Sequence, residues 1–163
     1  MSDTRLHRYY LQRQVAVESV IALFISMVLT GYFFWNHEYV TFSGDSSVVG
    51  DLLATGTILP IAVGLMVTTR VRKHLRAGDI PGRKTEKSGH IGARLLPSSL
   101  WLRVTVCVIY GVLAATLVLI ALRVLGINSI AFWPYVIFVG TFGCVLAAYI
   151  AAISGYRAIV ESD

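Results

Sequence analysis

The chain has 163 residues, of which 56% are hydrophobic and 14% charged, with a mean hydropathy of +0.70 and a formal net charge of +5. That length suits one domain, and so little polar surface excludes an ordinary soluble globule. The apolar mass is gathered into four blocks, each at or above the ~18 residues that read as a bilayer span.

The first block covers residues 15–35, VAVESVIALFISMVLTGYFFW. As a helix rising about 1.5 Å per residue, it reaches across a hydrocarbon core of about 30 Å. It does not read as a secretory signal, because the run is too long and Tyr32, Phe33, Phe34 and Trp35 stand where small residues would precede cleavage. Glu18 falls about one turn inside, where a carboxylate costs a few kcal/mol unless it is paired, protonated or wet. The ridge Glu18, Ala22, Ser26, Thr30 is small or polar at every fourth position, a pattern that packs on other helices better than on lipid. The simpler reading of Glu18 is an ion pair with Arg13, Arg72 or Arg103 at the cytoplasmic interface. The alternative is a proton or cation site.

The second block, residues 48–69, carries Asp51 near its start, preceded by Ser46 and Ser47. An acidic group there is favoured by the exposed N–H groups and dipole of a helix N-terminus, and an ion or substrate role is the alternative. Glu18 and Asp51 are expected near opposite membrane faces, poorly placed as an acid–base pair. Pro60 removes one backbone donor and presses on the carbonyl of Gly56. The ridge Gly56, Pro60, Gly64, Thr68 allows a kink and a close neighbour together, so Pro60 and Gly56 are hinge candidates, with a static packing kink the simpler reading.

Residues 70–103 form a basic loop in which Arg72, Lys73, Arg76, Arg83, Lys84, Lys87 and Arg94 outnumber Asp79 and Glu86. Charge of this kind can grip nucleic acid, but no nucleic-acid motif or aromatic interleaving accompanies it. Anionic headgroups attract such a segment by about 1 kcal/mol per basic residue near the surface. Contact with anionic lipid is therefore expected for Arg72, Lys73, Arg76, Arg83, Lys84 and Lys87. GDIPG, residues 78–82, supplies a turn, and Pro97, Ser98 and Ser99 lead into the third helix.

The third block, residues 104–122, is bracketed by Arg103 and Arg123, each able to snorkel to a headgroup layer. The fourth, residues 132–156, holds two stripes of small residues: Gly140, Cys144, Ala148, Ala152 and Gly143, Ala147, Ala151, Gly155. Gly111 and Ala115 make a shorter version on the third. Small residues let backbones approach where lipid offers no hydrophobic drive. One stripe of the fourth block can serve the internal packing, and the other a second copy or a different membrane subunit. Cys107 and Cys144 lie within spans and read as small packing residues.

Of the fourteen Lys and Arg, all but Arg123 fall in the N-terminal segment, the 70–103 loop or the C-terminal tail. The positive-inside rule then places both termini and that loop in the cytoplasm. Helices satisfy their own backbone in lipid, and the many short alternating segments of a β-barrel are missing. The expected fold is an all-α membrane protein, residues 1–163 forming a single domain with four transmembrane helices in a compact up-down bundle, N-in and C-in. His7, His37, His74 and His90 lack metal-ligand spacing, and no phosphate loop or nucleophile motif is present. No metal, cofactor or catalytic residue is expected.

RVRKHLRAGDIPG at 70–82, ARLLPSSLWLR at 93–103 and LGINSIAFWPYVIF at 125–138 give the chain a pattern that resembles a group of small four-helix bacterial inner-membrane proteins. The resemblance implies a bacterial cytoplasmic membrane and a compact bundle, and carries over no activity or site residue. The expected role is a non-enzymatic accessory, assembly or scaffolding subunit, self-associating or seated on another membrane subunit. The alternative is a small oligomeric transporter or channel built around Glu18.

Overall fold

The computed structural model describes residues 3–44, 47–77 and 99–160, with backbone alone at 3–10, 75–76 and 157–160. Its elements in chain order are α1 (Asp3–Phe34), β1 (Tyr39–Thr41), α2 (Val48–Arg76), α3 (Leu100–Val124), β2 (Ser129–Ala131) and α4 (Phe132–Val160). All four helices are long and apolar enough to cross a membrane. Each outruns its apolar block: α1 takes in the polar N-terminal segment, and α2 carries its helix through Arg70, Arg72 and Lys73. Arg and Lys are good helix formers, so the end of an apolar run does not end a helix.

The packing order is not the chain order. α4 lies along α1 and also against α2, and α2 packs on α3, whereas α1 scarcely meets α2 and α3 scarcely meets α4. Two apolar clusters fill the interior. One, around Val63, Val67, Cys107, Leu146 and Ile150, lies toward the Arg70 end of α2; the other, around Phe34, Leu52, Leu119, Tyr135 and Val139, lies toward its Asp51 end.

Between them the chain narrows to glycine. A Cβ on Gly56 would stand 2.7 Å from the Gly111 carbonyl oxygen and 2.9 Å from the Ala115 Cβ, and one on Gly111 would strike the Gly56 carbonyl. Pro60, which deprives that carbonyl of its usual donor, also abuts Gly111, and α2 runs unbroken through it. On the other side of the molecule, a Cβ on Gly143 would meet Ser26 of α1 at 2.5 Å, and one on Gly140 would meet Met27. α4 therefore touches α1 through small residues and α2 touches α3 through the same device.

A two-stranded antiparallel sheet closes one end. β1 pairs with β2 in the register Tyr39↔Ala131, Val40↔Ile130, Thr41↔Ser129. It is extended by Phe42 N–H donating to the Asn128 carbonyl and Phe132 N–H to that of Glu38. The ladder holds the α1–α2 and α3–α4 connections at the same end, and Val40 is fully buried beneath them. α3 stops there in a Schellman arrangement, with Gly126 N–H donating to Arg123 O and Ile127 N–H to Leu122 O. Gly126 has φ +72°, a conformation that favours glycine.

Of the two arginines that bracket the third block, Arg103 departs from the sequence expectation and Arg123 stays exposed at its helix end. Arg103 is 0% exposed rather than snorkelling outward, because it heads the inward four-residue ridge Arg103, Cys107, Gly111, Ala115, Leu119 of α3. Arg123 turns back on its own connection, donating to Asn128 Oδ1 at 3.1 Å and lying 5.3 Å over the Phe42 ring.

Candidate functional site

Hydroxyls on the helix surfaces are satisfied locally: Thr57, Thr69, Thr105, Thr116 and Thr141 each donate to the carbonyl four residues back. This lets a polar side chain face lipid without an orphaned donor. Among the described residues of the helices, three groups of polar side chains are not settled this way.

The first is Glu18. It lies on the inward ridge of α1 and is 1% exposed, yet Arg70 Nη1 reaches its Oε1 at 2.6 Å and Gln14 Nε2 donates to the same oxygen at 2.9 Å. The ion pair that the sequence suggested is present with a partner it did not suggest. Arg70, rather than Arg13, Arg72 or Arg103, faces α1, because it ends the row Ala54, Ile58, Ala62, Met66, Arg70 on α2. That four-residue spacing was the available signal.

The second is Asp51. Ser47 is the helix cap, its Oγ accepting from Gly50 N–H at 3.2 Å, which frees Asp51 for another task. Its Oδ2 accepts from Tyr135 of α4 at 2.8 Å and from Thr30 of α1 at 3.1 Å. One carboxylate oxygen of α2 thereby joins three helices. Thr30 stood on the ridge read from sequence, whereas nothing local marked Tyr135.

The third is a patch facing the core at the Arg70 end. The Cys107 sulfur lies 3.6 Å from Ser154 Oγ, with Arg103 one turn away and Thr68 fully buried. The other small-residue positions on α4 also face inward. Ala147, Ala151 and Gly155 are buried, a Cβ on Gly155 would meet Leu11 and Val67, and Cys144 and Ala148 are half-buried. Of the basic residues expected on lipid, Lys73 is exposed and Arg72 half-buried. The Arg76 side chain lies outside the described residues, as do Arg83, Lys84 and Lys87. Among the described residues no three His, Cys, Asp or Glu side chains are grouped to hold a metal ion.

Glu18 and Asp51 share one feature. Because α1 and α2 barely meet, a groove of about 200 Å³ runs between them, with Glu18 at one end and Asp51 at the other. Its walls are otherwise almost wholly apolar, and its mouth is outward, since Ile25, Leu29 and Ile58 are all exposed. From Asp51 to Arg70 along α2 is about 28 Å at 1.5 Å per residue, too far for the two carboxylates to act on one proton. Comparison with protein-family models, curated proteins and solved structures finds no match.

Proposed function

We propose that this chain is a multi-pass protein of the bacterial inner membrane and serves as a non-enzymatic accessory, assembly or scaffolding subunit of a membrane complex. Its four helices form a compact up-down bundle with both termini and the 70–103 loop in the cytoplasm. The β1–β2 ladder supports that orientation: it puts both short connections at one end, and the Lys and Arg other than Arg123 belong to the opposite one.

One observation carries the role. The two carboxylates inside the spans, the natural candidates for chemistry, are both engaged in tying helices together, Glu18 to Arg70 and Asp51 to Thr30 and Tyr135. Polar groups used this way specify a fixed helix arrangement, which is what a subunit presented to a neighbour needs. Purification in mild detergent followed by mass measurement of the intact particle tests it. The expected result is a defined assembly, either of several copies or with another membrane protein. A clean monomer with nothing bound overturns the reading.

The transporter reading draws on Glu18 and Asp51 lining the same groove. It requires that Glu18→Gln abolish ion or solute flux in proteoliposomes, whereas a scaffolding role leaves no flux to abolish.

A further inference from the structure

We propose that the groove between α1 and α2 is a binding site for one anionic phospholipid, with a single acyl chain between the helices and the headgroup on Arg70. The proposal rests on the helices crossing a bilayer as described above.

The size of the groove selects the occupant. A cavity of roughly 150 Å³ holds one benzene, so a groove of about 200 Å³ between two helices admits a stretch of hydrocarbon chain. The length agrees. Ile21, Ile25 and Leu29 form one wall and Ile58, Ala62 and Met66 the other. The lined part of α2, from Asp51 to Met66, extends about 22 Å, enough to take the full depth of one leaflet in a core of about 30 Å.

The charge selects the headgroup. One turn beyond Met66, Arg70 spends Nη1 on Glu18, yet its side chain is still 45% exposed, and a guanidinium carries five donors. Those facing outward sit where the chain would leave the groove, with Lys73 exposed close by. A phosphate takes a guanidinium well because the fork matches its oxygens. Glu18 holds that fork in place from the buried side. The opposite end of the groove has the Asp51 carboxylate and no basic side chain in its lining, which disfavours an anion, so the lipid enters head toward Arg70. That end lies on the cytoplasmic leaflet, where anionic lipids gather.

Native mass spectrometry of the full chain, released from nanodiscs of equal parts phosphatidylglycerol and phosphatidylcholine, tests the site. One retained lipid is expected, with a roughly fivefold preference for phosphatidylglycerol, the contribution of one surface cation. Ala62→Trp, which fills the groove, should reduce retention about tenfold, the loss of more than one buried methylene. Should that variant fail to fold, Ile58→Trp at the mouth makes the same test. The double variant Glu18→Gln, Arg70→Gln removes the headgroup charge without stranding a buried carboxylate. It should keep a lipid but lose the preference. Equal retention of both lipids by the native chain overturns the proposal, as does undiminished retention after the groove is filled, or a lipid-free dimer closed over α1 and α2. Reporter fusions report the orientation separately: selective retention together with a basic end outside the cell would uphold the lipid site while overturning the cytoplasmic placement.

Discussion

At the scale of single residues, closeness of backbones distinguishes glycines that look alike in the sequence. Gly111→Ala would drive its methyl into the Gly56 carbonyl and Pro60, and neither atom can turn aside. The expected loss is about 1–3 kcal/mol, read as earlier unfolding in a detergent titration. Gly140→Ala meets Met27 at its Cγ, a side-chain atom that can swing aside only by turning about the first torsion, so its loss should be smaller than that of Gly111→Ala but measurable. Gly31→Ala, with nothing within 4 Å of its Cβ position, serves as the control for the change in helix propensity alone. Tyr135→Phe tests the three-helix junction. Hydrogen bonds of this kind between membrane helices average about 0.6 kcal/mol and reach about 1.7, and a loss in that range is expected. Tyr135→Phe and Thr30→Val together should cost more than the sum of the two, since both donors serve the same oxygen of Asp51 and either alone still satisfies it.

At the scale of elements, the four helices were plain in the sequence because lipid demands about 20 apolar residues of each. The inward face of α1 was plain as well, since Glu18, Ala22, Ser26 and Thr30 repeat at helical spacing, whereas the two stripes of α4 did not tell which of them turns inward. The β1–β2 ladder was not. Each strand is three residues long, too short for alternation to register, and its pairing joins segments about 90 residues apart, so no local pattern could report it. The same limit hid Tyr135, whose tie to Asp51 depends on which helices become neighbours rather than on spacing within one. The groove was hidden for that reason too: nothing in either helix announces that α1 will lean on α4 instead of α2. The end of α3 gives the element-level test. Gly126→Ala forces a left-handed conformation on an L-residue at a cost of about 1–2 kcal/mol and loosens the connection that β2 needs. Faster amide exchange at Val40 and Ile130, with the helix interiors unchanged, is the expected outcome.

At the scale of the whole molecule, the asymmetry of charge and the ladder make one joint prediction. A reporter inserted after Gly44 should be accessible outside the cell, and one after Lys84 only from the cytoplasm; the reverse pattern would invert the bilayer assignment. The packing order has a consequence for how the protein is made. α1 leaves the ribosome first, and α2 soon brings Arg70 to its buried carboxylate, so the charge in the first helix is neutralised early. The face of α1 that carries Ser26 and Met27 has its main mate in α4, which is synthesised after α2 and α3. Until α4 emerges, α1 is held to α2 by the Glu18–Arg70 ion pair and the Thr30–Asp51 hydrogen bond, and α4 then packs against both helices. A chain cut short after α3 would therefore lose its first helix's principal anchor as well as its last span, and quality-control proteases should clear it quickly.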